Sequence, residues 1–331
     1  MIENRIKCIG QLATLLENNE GARWEDAILQ SCNKNPWFTP RNIRFAMSAH
    51  AQEFKEDKLR HWLANYSFEF ESKKRVAIIM AGNIPLVGLH DLVSVYLSGH
   101  IAIVKLSSKD RILMSVVVNL LKEIEPAYGD NIKLVDTIDT PFDAVIATGS
   151  NNSFKQFQHY FKQYPKILRN SRTSLAILDG NESLEQRKAL AYDIFMHFGL
   201  GCRNVTKVYI PKGYNLDKLF EAFCEFKEVI HHNKYANNYD YHKAIFSLGG
   251  HSFLDNGFLL LREDKSLHSP VSVLHYEYYE NRTDLIALLE EKKSQIQCFV
   301  SSTNTPFGQT QFPKLTDYAD GLDTLAFLEK L

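Results

Sequence analysis

A cysteine that follows a Gly-x-Gly turn is the residue of this chain best suited to nucleophilic chemistry. Cys202 comes directly after Gly199-Leu200-Gly201 and before Arg203. Residues 184–197 have the pattern of a helix, and residues 205–210 have the β-branched and aromatic composition of a strand. Cys202 is therefore expected at a helix-to-strand junction, on a bend that glycine permits. A thiol there can serve as a nucleophile, and a buried structural cysteine is the alternative that this stretch leaves open.

Polar turns follow three short apolar runs in the first half of the chain. The runs span residues 75–81, 100–106 and 143–148, and their turns carry, in order, Asn83, then Lys105 with Ser107 and Ser108, then Thr148-Gly149-Ser150. These runs, together with one at residues 175–178, are separated by helical patterns, which indicates a parallel sheet covered on both faces. Ligands of such sheets bind at the carboxyl ends of the strands, so these turns are candidate binding residues.

The turn Thr148-Gly149-Ser150 is the best candidate for a phosphate-binding element. No G-x-G-x-x-G occurs, so a dinucleotide site would need a different arrangement. A turn of this composition before a helix offers backbone N–H groups and hydroxyls to a phosphate. The same residues also form an ordinary helix cap, and the motif alone does not decide between the two.

The length of 331 residues predicts two domains, and the apolar residues before about residue 66 have the spacing that is typical of helices.

Composition and charge exclude several classes of protein. A formal net charge of -1 gives no general affinity for nucleic acid or an anionic membrane. No apolar run reaches the roughly 20 residues of a membrane span, and the polar N-terminus is not expected to be a signal peptide.

The five cysteines are scattered and form no Cys-x-x-Cys pair. This spacing supports neither a disulfide framework nor a zinc site, and it favours a reducing cytoplasm. A second group of possible ligands, His231, His232 and His242, lies in the polar and aromatic segment 231–242. It lacks the H-E-x-x-H spacing, so a solvated loop or a polar lid over a cleft is expected there, and no metal.

The order of these motifs resembles the acyl-CoA reductase family, which includes the fatty-acid reductase subunit of bacterial luminescence, within the aldehyde dehydrogenase superfamily. The resemblance runs from about residue 75 to residue 331. It is carried by Ala81-Gly82-Asn83-Ile84-Pro85, Val104-Lys105-Leu106-Ser107-Ser108, Ala147-Thr148-Gly149-Ser150, Ile177-Leu178-Asp179-Gly180-Asn181, Gly201-Cys202-Arg203 and Ser269-Pro270-Val271. It implies an α/β fold that is aldehyde-dehydrogenase-like. A Rossmann-type parallel-sheet cofactor domain with an N-terminal helical region would span residues 1–197, and a smaller α/β catalytic domain would span residues 198–331.

The resemblance also implies roles for the candidate residues. Cys202 matches the nucleophile, which would hold the acyl group as a thioester. Asn83 matches the amide that stabilises the oxyanion together with the Cys202 backbone N–H. Lys105 would hold the adenosine ribose, with Ser107 and Ser108 in the same turn. Thr148-Gly149-Ser150 matches the turn near the cofactor phosphates.

Three departures from the superfamily pattern bear on the reaction. Leu178 is matched to the general base of aldehyde-oxidising relatives, and a leucine cannot activate water, which favours reduction over oxidation. Ser108 replaces a glutamate that would repel a 2′-phosphate, and with Lys105 and Lys109 nearby it predicts NADPH. Ser266 stands where the family has another ribose-binding glutamate, which leaves that contact unassigned.

These observations together predict an NADPH-dependent reductase that converts an activated, long-chain fatty acyl thioester to the aldehyde. The substrate would be acyl-CoA or an acyl carrier, an acyl-activating protein is a candidate partner, and a homo-oligomer is allowed. Two other functions stay open: a non-catalytic scaffold that binds acyl-CoA or a partner, and an acyltransferase or thioesterase that uses Cys202 without hydride.

Overall fold

The computed structural model describes residues 2–331 and consists of two compact units, each built on a sheet. The helices are α1 (Ile2–Glu17), α2 (Ala22–Lys34), α3 (Pro40–Glu53), α4 (Glu56–Leu63), α5 (Leu89–Ser98), α6 (Arg111–Ile124), α7 (Pro126–Gly129), α8 (Asn151–Tyr160), α9 (Leu184–Phe195), α10 (Asp217–Phe223), α11 (Asn233–Leu248), α12 (Arg282–Glu291) and α13 (Thr324–Glu329). The strands are β1 (Arg75–Ile79), β2 (Ile101–Lys105), β3 (Ile132–Val135), β4 (Ala144–Thr148), β5 (Lys166–Arg169), β6 (Thr173–Ile177), β7 (Val205–Pro211), β8 (Leu254–Asp255), β9 (Leu260–Glu263), β10 (Val273–Tyr279) and β11 (Ile296–Val300).

The first unit runs to Ser171 and also includes Lys314–Leu331. Its sheet has five parallel strands in the order β3-β2-β1-β4-β5. The middle strands β1, β2 and β4 have the continuous apolar sequences that the prediction used, and their central residues are buried. The prediction missed the edge strands β3 and β5, because their short sequences mix buried and exposed residues and lack a continuous apolar run.

Helices cover one face of this sheet with a large apolar core. The predicted helical region before residue 66 is confirmed as α1 to α4. α3 begins with a helix cap, since the Thr39 side chain accepts the N–H of Asn42 and Pro40 occupies the first turn. The chain end returns to this core through α13, where Leu325 and Leu328 are buried, so residues after 314 belong with the first unit.

The second unit, Arg172–Pro313, has a six-stranded sheet in the order β11-β6-β7-β10-β9-β8. Its strands pair in parallel, except that β8 is antiparallel to β9. The sequence predicts residues 175–178 as a fourth strand of the first sheet, but this strand is β6 of the second sheet. A short apolar run predicts that a strand forms, but not which strands lie beside it. Hydrogen bonding to β7 and β11 places β6 in the second sheet. The unit boundary consequently falls at 171/172, whereas the sequence suggested 197/198.

The histidine-rich segment, residues 231–242, is mostly helical, so the prediction of a solvated loop there is wrong. α11 covers most of it, with Tyr235, Tyr239 and Phe246 buried along the helix. The buried residues are aromatic side chains among polar ones, so the segment lacks the aliphatic periodicity from which a helix is usually predicted. Within residues 2–331 no cluster of three or more His, Cys, Asp or Glu side chains is arranged to hold a metal ion.

No helix in the part of the chain that the structure describes combines the length and the apolar character that a membrane crossing requires.

Candidate functional site

The first unit brings the predicted oxyanion residue Asn83 and the predicted cofactor residues Lys105 and Thr148 to one edge of its sheet. Lys105 is the last residue of β2, Thr148 is the last residue of β4, and Asn83 lies in the segment that follows β1. Because β2, β1 and β4 are adjacent parallel strands, their carboxyl ends lie side by side, at a spacing of about 4.8 Å per strand. All three side chains are half-buried. This edge can therefore present a cationic group, an amide and a hydroxyl to one ligand.

A glycine lets two turns of this edge approach closely. A Cβ atom at Gly82 would lie 2.5 Å from Ser107 Oγ and 2.7 Å from Ser107 Cβ. Ser107 Oγ also accepts the backbone N–H of Lys109 at 3.3 Å, and the Lys109 carbonyl accepts a hydrogen bond from Asn35 Nδ2 at 3.2 Å. Ser108 between them is exposed. The β2 turn is thus held from two sides, with Ser108 at its surface.

A buried carboxyl group holds the segment that carries Asn83. Leu86 has a left-handed backbone with a φ of 57°, and its N–H donates to Asp110 Oδ2 at 2.7 Å. The ring of His50 hydrogen-bonds the backbone of the same residue. Burial raises the pKa of Asp110 to about 8 and lowers the pKa of His50 to about 4. Both groups are therefore mainly neutral near pH 7.

The turn Thr148-Gly149-Ser150 is a helix cap in the structure. The Ser150 hydroxyl accepts the N–H of Ser153 at 3.3 Å, as expected for the N-cap of α8. A Cβ atom at Gly149 would lie 2.8 Å from Ser153 Cβ and 2.9 Å from a ring carbon of Phe157. Gly149 is therefore needed for α8 to pack close to β4. The capping function does not remove the N–H groups of the first helical turn, to which a phosphate can bind.

Cys202 lies in the second unit, in the turn between α9 and β7, as the sequence predicted. Its side chain is half-buried. The three residues His197, Phe198 and Gly199 before this turn have φ angles of 51°, 57° and 76°. The left-handed conformation is unfavourable for the two that are not glycine, and such strain persists only where surrounding contacts enforce it. Strain of this kind often occurs at functional sites.

Two residues that the sequence did not single out hold the Cys202 turn. The buried side chain of Asn204 accepts the N–H of Gly201 at 2.8 Å. Ser174, at the start of β6, donates its hydroxyl to the carbonyl oxygen of Cys202 at 3.0 Å and contacts Cys298 Sγ at 3.0 Å. An asparagine two residues after a cysteine has no motif value by itself. The only available signal was its place just before an apolar strand.

The family model for acyl-CoA reductase (LuxC) matches residues 37–222, more than half of the chain. The chain belongs to the acyl-CoA reductase (LuxC) family. The matched region contains Asn83, the three turns of the first sheet and Cys202. Membership confirms the resemblance that these motifs indicated.

A curated relative and several solved structures agree with this family. The long-chain acyl-protein thioester reductase 2 of Photobacterium leiognathi is 23% identical over a stretch that covers 51% of this chain and 39% of the relative. The match thus spans less than half of that protein. Aldehyde dehydrogenase of Mycobacterium tuberculosis complexed with NAD+ is 15% identical with a TM-score of 0.61, covering 87% of this chain and 70% of that one. Aldehyde dehydrogenase 21 of Physcomitrella patens is 12% identical with a TM-score of 0.67, with the same coverage. These structures confirm the aldehyde-dehydrogenase-like α/β fold.

The structure of this acyl-CoA reductase family member corrects the residue that was matched to the general base. Leu178 follows the carboxyl end of β6, where its N–H donates to the carbonyl of Tyr209 at 2.9 Å. Cys202 lies at the opposite end of β6, next to Ser174. Ser174 and Leu178 are four positions apart along an extended chain, which corresponds to roughly 13 Å. Leu178 is therefore too far from Cys202 to mark the position of a base. The residues of β6 nearest to Cys202, Thr173 and Ser174, carry hydroxyls and no carboxylate.

Proposed function

We propose that this member of the acyl-CoA reductase family reduces an activated fatty acyl thioester to the aldehyde with NADPH, through an acyl-enzyme on Cys202. The observation that carries the proposal is the Cys202 turn, a half-buried thiol on a strained bend whose hydrogen bonds hold it in place. Family membership supports the reaction class. The curated relative is a long-chain acyl-protein thioester reductase, which supports a long acyl chain delivered by CoA, a carrier or a partner protein.

The first step transfers the acyl group to the enzyme. The Cys202 thiolate adds to the thioester carbonyl, and the carbonyl oxygen becomes an oxyanion. The Asn83 amide and the backbone N–H of Cys202 would stabilise that charge, and one such donor is typically worth about 10²–10³ in rate. The carbonyl then re-forms as the bond to the leaving thiolate breaks, so one thioester replaces another. Because the thiol leaves before reduction, the acyl group is retained on the protein.

The cofactor site would lie at the carboxyl edge of the first sheet. Lys105, Ser107 and Ser108 would bind the adenosine ribose, and the turn Thr148-Gly149-Ser150 would bind near the phosphates. The close approach at Gly82 and the buried Asp110 Oδ1, which lacks a hydrogen-bond partner among the described residues, fit a ligand packed against this edge. A bound nicotinamide cofactor supplies the hydride that converts the thioester to the aldehyde and restores the Cys202 thiolate.

The choice of NADPH rests on the charges of one turn. Ser108 and Lys109 are exposed, and Lys105, three residues before Ser108, is half-buried. A 2′-phosphate there would meet two ammonium groups and no carboxylate in residues 105–109. Aldehyde dehydrogenases of the same fold have been solved with NAD+, which supports a nicotinamide cofactor in general.

Hydride transfer to the acyl-enzyme competes with hydrolysis by water. Thr173 and Ser174, the β6 residues near Cys202, do not include a carboxylate that could activate water. The acyl-enzyme should therefore persist long enough to be reduced. The preference for reduction over hydrolysis therefore does not depend on Leu178.

The decisive experiment incubates the protein with a long-chain acyl-CoA and NADPH. We expect NADPH consumption with aldehyde formation, and an acyl adduct on Cys202 by mass spectrometry when NADPH is omitted. Cys202→Ala should abolish both. Cys298→Ala is the matched control, since this half-buried thiol also lies against Ser174 and should be dispensable.

Two other results would point to the competing functions. Release of CoA without NADPH consumption indicates an acyltransferase or thioesterase. No turnover of either substrate, with acyl-CoA binding unchanged in Cys202→Ala, indicates a scaffold. An adduct on another cysteine contradicts the assignment of the nucleophile.

A further inference from the structure

Asn204 is a fully buried residue whose side chain connects the Cys202 turn to the end of α9. Its Oδ1 atom accepts the N–H of Gly201 at 2.8 Å. Its Nδ2 group donates to the carbonyl oxygens of Asp193, Ile194 and Met196 at 3.1, 3.3 and 2.7 Å. Burying an amide is costly unless its polar atoms find partners, and here both of them do.

The backbone of Asn204 closes the same turn a second time. Its N–H donates to the carbonyl of Gly201 at 3.0 Å, and its carbonyl accepts the N–H of Ser174 at 3.2 Å. Cys202 and Arg203 thus lie between Gly201 and Asn204, which are joined by two hydrogen bonds, one to the Asn204 side chain and one between the backbones. The contact with Ser174 ties this closed turn to β6.

The partners of Asn204 also lie on both sides of the strained segment. Asp193 and Ile194 lie in the last turn of α9 and Met196 directly follows the helix, whereas Gly201 follows the left-handed residues His197 and Phe198. A left-handed conformation is unfavourable at a residue other than glycine, so it requires contacts that enforce it. Asn204 spans the segment and supplies such contacts.

We propose that Asn204 is a positioning residue for Cys202, which sets the backbone of the nucleophile turn without touching the substrate. This inference rests on the proposed role of Cys202 as the nucleophile. A shift of about 1 Å in a reacting group can cost about 10² in rate, so a buried side chain that fixes the turn has a direct kinetic effect. An asparagine is required because its amide both accepts from Gly201 and donates to carbonyls.

The isosteric variant Asn204→Asp separates positioning from bulk stability. It keeps an acceptor for Gly201, but it places a carboxylate oxygen against three carbonyl oxygens. We expect kcat to fall by about a hundredfold with the KM for acyl-CoA little changed. Burial and the neighbouring oxygens raise the pKa of the new carboxyl group, and its protonated form can again donate to one carbonyl. The ratio of variant to wild-type kcat should therefore rise as pH falls.

The ratio is informative because Asp193 and His197 are present in both proteins, so their contributions to the pH dependence largely cancel, while any change at Cys202 is measured separately. A second readout does not depend on turnover. Iodoacetamide labelling, followed by peptide mass spectrometry, gives the pH profile of each thiol. In Asn204→Asp the Cys202 profile should move toward that of the exposed Cys224, whose own profile stays unchanged.

Tyr279→Phe is the matched control. It removes a partly buried hydrogen bond of 2.6 Å to the carbonyl of Leu178, at the end of β6 remote from Cys202. It should lower the melting temperature and leave both kcat and the Cys202 profile unchanged. If Asn204→Asp does not fold, Asn204→Ser is measured in its place, with the same expected loss of kcat and the same labelling shift but no recovery at low pH.

The inference is overturned if the folded variant has the wild-type kcat and the wild-type Cys202 profile. It is also overturned if Tyr279→Phe shifts that profile equally, because the effect would then reflect stability alone. Reductase activity that survives in Cys202→Ala refutes the proposed function instead, and the labelling profile still reports whether Asn204 holds the turn.

Discussion

The buried carboxyl group of Asp110 accepts the backbone N–H of Leu86 at 2.7 Å. Leu86 has a φ of 57°, a conformation that is unfavourable for leucine, so the contact holds a strained turn. The turn lies between β1 and α5 and carries Asn83, the proposed oxyanion donor. The stability of this part of the protein should consequently depend on the protonation of Asp110.

We expect the stability conferred by Asp110 to fall as pH rises. Burial raises its pKa in the folded protein to about 8, whereas an unfolded aspartate titrates near 3.9. Between these values the folded state binds the proton that the unfolded state has lost. The contribution is thus fully present below about pH 4 and is lost through about pH 8, at roughly 1.4 kcal/mol per pH unit.

Asp110→Asn should remove this dependence, because an amide remains neutral at every pH. Urea unfolding of wild type and variant from pH 5 to 8 measures it, and the variant should gain in relative stability toward pH 8. Asp136→Asn, at an exposed carboxylate paired with Arg111, is the control and should show no such trend. Parallel stability curves for Asp110→Asn and wild type would disprove the prediction.

Arg169 and Asp91 form a buried ion pair, and losing one partner should destabilise the protein more than losing both. The paired atoms are 2.5 Å apart, and Arg169 also donates to Thr324 Oγ1 at 2.9 Å. Removing one partner leaves a buried charge without compensation, so Arg169→Met should cost about 3–5 kcal/mol in the free energy of unfolding. The double variant Arg169→Met with Asp91→Leu should recover most of that loss. Denaturant titrations of the two singles and the double test this, and purely additive losses would contradict it.

Gly82 should be required for cofactor binding because of its contact with Ser107. A side-chain methyl would lie within 2.7 Å of both Ser107 Cβ and Oγ and would push the two turns apart. We expect Gly82→Ala to weaken NADPH binding by about tenfold or more, equivalent to 1.4 kcal/mol. Fluorescence titration measures the affinity. Because Ser107 is itself a proposed ribose contact, Ser107→Gly alone measures the cost of losing its side chain. The double variant should bind NADPH about as well as that single variant, and a double variant that binds more weakly than both singles would show that the clash is not the cause.

Ser108→Glu should reverse the preference between the two nicotinamide cofactors. A carboxylate at this exposed position would repel a 2′-phosphate and could accept the 2′-hydroxyl of NADH. We expect kcat/KM for NADPH to fall by about tenfold to a hundredfold, with NADH affected little. Ser108→Gln is the neutral control of the same size and should leave the preference nearly unchanged. Equal losses with both cofactors would argue against a 2′-phosphate at Ser108.

The sequence by itself determined the local elements and the residues at their ends. Continuous apolar runs identified β1, β2 and β4, and glycine and hydroxyl residues marked the turns that follow them. The place of Cys202 between a helix and a strand was likewise predictable, because hydrophobic period and turn residues act within a few positions of one another. The order of these motifs was sufficient to recognise the family.

Only the tertiary structure decided which distant residues meet. In the structure β6 belongs to the second sheet, and Leu178 is remote from Cys202. Most of the histidine-rich segment lies in the first half of α11. The fold also brings Asn204 and Ser174 to the Cys202 turn. Strand pairing and buried hydrogen bonds join residues far apart in the chain, and their partners depend on how whole elements pack. A buried asparagine and a buried aspartate look like ordinary turn residues in a sequence, and only their surroundings give them a function.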